Sequence, residues 1–171
     1  MRNRNEGDVL PLVDYAVAND FDISFIEEMP LGDIMHDGSG HDRAYSQYSS
    51  AEVLEQISRH YTLLSSAETT GGPSRYHSIP GVSTRIGVIS PNSHNFCPSC
   101  NRVRVTAEGR LLLCLGHENS LDLRDIIRRY PGDIERLKDS IRAALINKPE
   151  RHEFDVNNEA QIVRFMNMTG G

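Results

Sequence analysis

The sequence predicts an α/β segment followed by an α+β segment. Three observations predict it. A helical stretch at 8–19 runs into FDISFIEEM, whose apolar residues alternate as in a strand. A ribbon with hairpin spacing carries all three cysteines, Cys97, Cys100 and Cys114. Two amphipathic helical stretches follow that ribbon.

Taken in order, Asp8 is placed to cap the first helix and Pro11 is tolerated in its first turn. Leu10, Val13 and Val17 share one face. In the strand that follows, Phe21, Ile23 and Phe25 alternate with Asp22 and Ser24, and Glu27 and Met29 continue the parity of Phe25. A helix leading to a strand with carboxylates at its C-terminal end fits a piece of an α/β barrel. A complete barrel needs about 200 residues or more, so there is room for only one or two such units. Residues 32–49 read as a long polar loop. Ser49 and Glu52 form a capping box opening a helix that turns Val53, Leu54, Ile57 and Tyr61 inward. Residues 65–75 read as loop, and TRIGVIS (84–90) as a strand closed by Pro91. Beyond the cysteines, Ser120 is placed to cap a helix with Leu123, Ile126, Ile127 and Tyr130 on its apolar stripe. Arg128 and Arg129 suit its C-terminal dipole, and Pro131-Gly132 ends it. Asp133 opens the last helix, with Ile134, Leu137, Ile141 and Leu145 inward.

The totals set limits. The chain has 171 residues and a net charge of -6, which excludes a general nucleic-acid binder. No apolar run is long enough for a membrane span, and the N-terminus lacks the apolar core of a secretory signal. An odd cysteine count without such a signal points to a reducing, cytoplasmic setting. All but Lys138 and Lys148 of the eighteen basic residues are arginine.

The spacing of the cysteines has a geometric reason. VRVT (103–106) goes out, Ala107-Glu108-Gly109 turns with Gly109 able to take a positive φ, and RLLLC (110–114) returns. That register sets Cys114 opposite Arg102, one step from Cys100. If the strand begins early, Cys100, Arg102 and Arg104 share one face, and two fixed cations stand beside the thiols. Two metal readings follow. Zinc, the commoner use of such a knuckle, would complete a Cys3His site with His117 or His94. An iron–sulfur cluster on three cysteines would keep one iron open for a substrate.

The stretch CPSCNRVRVTAEG with RLLLCL closely resembles the C-terminal signature of GTP 3′,8-cyclase, the radical S-adenosylmethionine enzyme that begins molybdenum cofactor synthesis. RIGVIS, FIEEMPLG at 25–32 and the closing Gly-Gly are similar to that family as well. The resemblance implies a [4Fe–4S] cluster on Cys97, Cys100 and Cys114, its open iron approached by the guanine of GTP. It implies GTP contacts from Arg102, Val103 and Arg104, an S-adenosylmethionine pocket lined by Met29, and a catalytic tail ending in Gly170 and Gly171. It implies an incomplete radical-SAM TIM-type barrel followed by an iron–sulfur α+β domain. Residues 1–48 would be the last helix–strand unit and a loop, and residues 49–171 the cluster- and GTP-binding domain with its tail. The family's C-x3-C-x2-C motif has no counterpart here, so the expectation is a C-terminal half whose N-terminal half is missing, inactive alone, and a homodimer when whole. Many relatives carry an arginine before FIE, whereas Ser24 stands there in this chain, so a phosphate contact is not carried over to that position. The alternative of another class is a zinc-bound interaction module without catalysis.

Overall fold

The computed structural model describes residues 1–29 and 48–152. The expected loop at 32–49 falls almost wholly outside them, and the tail with Gly170 and Gly171 entirely so. The described residues form two units, one of 1–29 and 48–96, the other of 97–152. Each is mixed in helix and strand.

In the first unit a short turn, Glu6–Asp8, leads into α1 (Val9–Ala18), and α1 into β1 (Ile23–Ile26). Asp8 stands at the cap position of α1, but its side chain makes no capping bond, because its backbone is already helical. The buried residues of α1 are Val9, Val13 and Ala16; of the expected line, Val13 is buried, Val17 packs against the core and Leu10 is half-buried. The capping box of α2 (Ser50–Ser58) forms as expected: Ser49 Oγ accepts from the Glu52 N–H, and Glu52 accepts from the Ser49 N–H at 2.8 Å. Val53 and Ile57 are buried beneath it.

Three strands follow: β2 (Leu64–Ser65), β3 (Arg75–Ser78) and β4 (Arg85–Ile89). The expected loop at 65–75 is therefore flanked by two strands the sequence did not reveal. The sheet order is β1-β4-β3-β2. β1 runs parallel to β4, pairing Phe25 with Val88, whereas β3 is antiparallel to both its neighbours. Parallel neighbours need a long crossover, which here contains α2. The core lies between the helices and one sheet face: Val9, Val13, Val53, Ile57, Ile79 and Ile86, with Ile23 and Phe25 packed against them. On the other face Gly87 lies under Ser24, Ser74 and Tyr76, and Ser24 Oγ is 3.1 Å from Ser74 Oγ.

The division expected at 48/49 falls within one unit: β4 pairs directly with β1, which joins β2–β4 to the same sheet, and α2 belongs to that unit as well.

The second unit is an antiparallel meander with two helices. β5 (Arg104–Val105), β6 (Arg110–Leu112) and β7 (Ser120–Asp122) lie in that order. Leu111, Leu112 and Leu113 are all buried. Ser120 does not cap a helix. It belongs to β7 and accepts from Arg110 Nη2 at 2.6 Å, while Asp122 caps α3 (Leu123–Arg129) by accepting the Asp125 N–H at 2.8 Å. Gly132, at φ +82, turns the chain, and Asp133 caps α4 (Ile134–Ile146). The stripe expected to be inward on α4 is only half-covered: Leu137 and Ile141 are half-buried, but Ile134 is 61% exposed.

Candidate functional site

The cysteine segment is built by local backbone geometry. Cys97–Ser99 forms a 3-10 turn, closed by the Cys100 N–H donating to the Cys97 carbonyl at 3.0 Å. In such a turn residues three apart eclipse one another, which is why two thiols come spaced by two residues. The ribbon then goes out and back as its spacing predicts. The Gly109 N–H donates to the Thr106 carbonyl at 2.9 Å, Gly109 takes φ +82, and the Thr106 N–H donates to the Arg110 carbonyl at 2.9 Å. Arg104 pairs with Leu112 and Val105 with Leu111. Carried two residues further, this register sets Arg102 opposite Cys114, just beyond the paired ladder. The strand does not include Cys100 or Arg102: the 3-10 turn ends at Ser99 and β5 begins only at Arg104, so of the three residues expected to share a strand face Arg104 alone lies in the strand.

All three thiols are half-buried and none is in a disulfide. Burial pushes the Cys97 thiol up, and the neighbouring Cys114 and Cys100 add to this, while the His152 backbone N–H and the Lys148 ammonium pull it back. The Gly116 N–H donates to Cys114 Sγ at 3.4 Å. Lys148 Nζ donates to the Leu113 carbonyl at 2.9 Å and lies 3.9 Å from Cys100 Sγ. Nothing in the local sequence reveals Lys148, which stands far along the chain; its only signal is the scarcity of lysine.

Arg102 and Val103 are exposed and Arg104 is half-buried. Neither arginine takes part in an ion pair among the described residues. His117 Nε2 is 3.0 Å from the Arg151 carbonyl. A carbonyl can only accept, so this nitrogen carries the proton and is not a metal donor while that bond stands. His94 lies in the other unit, its N–H donating to the Ser90 carbonyl at 3.1 Å. Among the described residues no three His, Cys, Asp or Glu side chains are gathered so as to hold a metal ion. The donor set nonetheless suits iron in kind: three soft thiols in one unit, with Cys114 and Cys100 near enough to raise the proton affinity of Cys97, and a cation beside them. A metal would have to draw the sulfurs together.

The first unit has its own polar centre, at the C-terminal ends of the parallel strands. Glu27 is only 6% exposed, as its parity with Phe25 requires. Its carboxylate accepts the Ser50 N–H at 2.9 Å and the Asn92 and Ser93 N–H groups at 3.0 Å each, together with the Ser93 hydroxyl. Burial pushes its pKa up, but these bonds outweigh that and hold it below the usual carboxylate value. Ser90 Oγ bonds Ser50 Oγ at 2.7 Å beside it. A cavity of about 190 Å3 opens at this end of β1, lined by Val9, Ile26, Glu27, Glu28 and Tyr48 among others. Met29, half-buried and three residues beyond the strand, is not among its lining residues. No helix of the described residues is long and apolar enough to cross a membrane.

A family model described as Molybdenum Cofactor Synthesis C matches residues 21–154. Among curated proteins, the chain is 54% identical to GTP 3',8-cyclase of Ectopseudomonas mendocina over 98% of its own length and 50% of that protein's. It is 55% identical to GTP 3',8-cyclase of Pseudomonas fluorescens over 100% of its length and 51% of the relative's. It is also 55% identical to GTP 3',8-cyclase 2 of Pseudomonas aeruginosa, over 99% and 50%. The chain thus spans about half the length of the curated relatives it matches.

Proposed function

The chain belongs to the Molybdenum Cofactor Synthesis C family, and from that premise we propose that it is the cluster- and GTP-binding half of a GTP 3′,8-cyclase. Cys97, Cys100 and Cys114 hold a [4Fe–4S] cluster with one iron left for the guanine. Arg102 and Arg104 grip the triphosphate, and Val103 packs beside the nucleotide. Met29 lines the pocket for S-adenosylmethionine, and the tail with Gly170 and Gly171 enters the active site. The observation that supports this best is the hairpin register, Arg104 on Leu112, which sets two arginines beside the cysteine segment that have no ion-pair partner among the described residues. Half-buried or exposed guanidiniums without carboxylates suit forked phosphate contacts.

When bound, the cluster supplies a Lewis-acidic iron that can take a nitrogen or oxygen of the base. The chain's own residues bind and orient: arginine charge fixes the phosphates, and the hairpin fixes the arginines relative to the thiols. The radical chemistry belongs to the S-adenosylmethionine-cleaving cluster of the whole enzyme, so this chain alone turns over no GTP.

Anaerobic loading with iron and sulfide tests the reading. The expected result is a brown protein holding iron and sulfide in equal amounts, whose paramagnetic spectrum after reduction changes when GTP is added. Arg102→Ala or Arg104→Ala should weaken GTP binding roughly 10–100-fold, the worth of one charged hydrogen bond. A colourless protein holding one zinc and indifferent to GTP would overturn it in favour of an interaction module.

A further inference from the structure

The C-terminal end of α4 delivers one ammonium to the thiols. Lys148 follows the cap residue Asn147, and its N–H donates to the Leu145 carbonyl at 3.1 Å, which fixes where its side chain starts. Nζ donates to the Leu113 carbonyl at 2.9 Å and stands 3.9 Å from Cys100 Sγ. Leu113 directly precedes Cys114, so a single cation touches both arms that carry the cysteines. The other lysine, Lys138, does something ordinary: it forms an exposed pair with Glu135 at 2.8 Å. Lys148 is half-buried and has no carboxylate partner among the described residues. A half-buried ammonium that rests on a carbonyl and a thiol has, among the described residues, no counter-ion. Thiolates with a bound anionic cluster would supply one.

Building on the three-cysteine reading above, we propose that Lys148 is the charge-compensating positioning residue of the cluster site. Its ammonium offsets the negative charge of the thiolate-ligated cluster, and more so after one-electron reduction adds another negative charge. Its bond to the Leu113 carbonyl holds the Cys114 arm against the Cys97–Cys100 turn. Partners of this kind, one bond removed from the metal, govern retention and potential.

The test compares the chain with Lys148→Met and Lys148→Arg after anaerobic loading, by iron and sulfide content, iron loss to a chelator, midpoint potential, and thermal melting. Lys148→Met should shift the potential to more negative values and release iron roughly tenfold faster or more. Lys148→Arg should restore most of both. If Lys148→Met gives no cooperative melt, Lys148→Gln, which keeps a donor for the Leu113 carbonyl without the charge, carries the same comparison. A variant with lowered melting but unchanged potential and iron retention would reduce Lys148 to a packing role and overturn the proposal. If the unaltered chain itself takes up no iron and sulfide, the three-cysteine reading fails first and takes this inference with it.

Discussion

Glu27 shows how much one side chain can hold. It ties the end of β1 to the first turn of α2 and to the turn after β4 through three backbone N–H groups and a hydroxyl. Glu27→Gln would turn an amide NH2 toward donors, leaving at least one of them unsatisfied. The expected cost is about 2–4 kcal/mol, read as a lower denaturation midpoint. Because its folded pKa lies below the ordinary 4.5, ionised Glu27 contributes stability that is fully present above that value and is lost as pH falls through the folded pKa. Melting from pH 7 to pH 3 should therefore show the gap between the unaltered chain and Glu27→Gln closing at the acid end. Gly87 makes a second case. A Cβ there would overlap the Oγ atoms of both Ser24 and Ser74, so Gly87→Ala should cost about 1–3 kcal/mol. Ser24→Ala in the same chain should recover part of that loss, as the melting temperatures would show. The burial of Glu27 was legible, since counting by two from Phe25 reaches it. Its partners were not, because Ser50, Asn92 and Ser93 are distant in sequence and only the sheet brings them near.

Among the elements, the β5–β6 hairpin was the most legible, because each of its determinants is local: a turn glycine, a three-residue loop and a return strand of leucines. Gly109 takes a positive φ and a Cβ would come within 3.0 Å of Arg124 Cβ. Gly109→Val should cost about 1–3 kcal/mol and lower iron retention along with melting temperature, whereas Val105→Thr, at an exposed strand position, should leave both near their starting values. β7 was illegible because three residues are too few for alternation to register, and its Ser120 read as a helix cap. Asp122 does cap α3, and it also faces Arg110 at 3.8 Å. Asp122→Ala should cost about 1 kcal/mol, chiefly from the lost cap. On α4 the helical period was clear, but period alone does not say how deeply a stripe is covered; Ile146, next to the cap, is 84% exposed.

At the scale of the whole molecule, the two units carry different groups. The first carries the parallel strands, with their polar centre at the C-terminal ends; the second carries the three free thiols together with Arg102 and Arg104. The purified chain should give no product from GTP and S-adenosylmethionine under reducing, oxygen-free conditions; chromatographic detection of cyclised nucleotide would refute that. Only two residue pairs join β5 to β6, and the ladder closes before Arg102 and Cys114. The backbone of residues 101–103 therefore has no rung of its own, and its amide protons should trade with deuterium from solvent at nearly open-chain rates while the thiols are bare. Loading the metal would act as the missing rung, so that protection in this short span becomes a direct gauge of occupancy, readable even where no colour or catalysis can be followed.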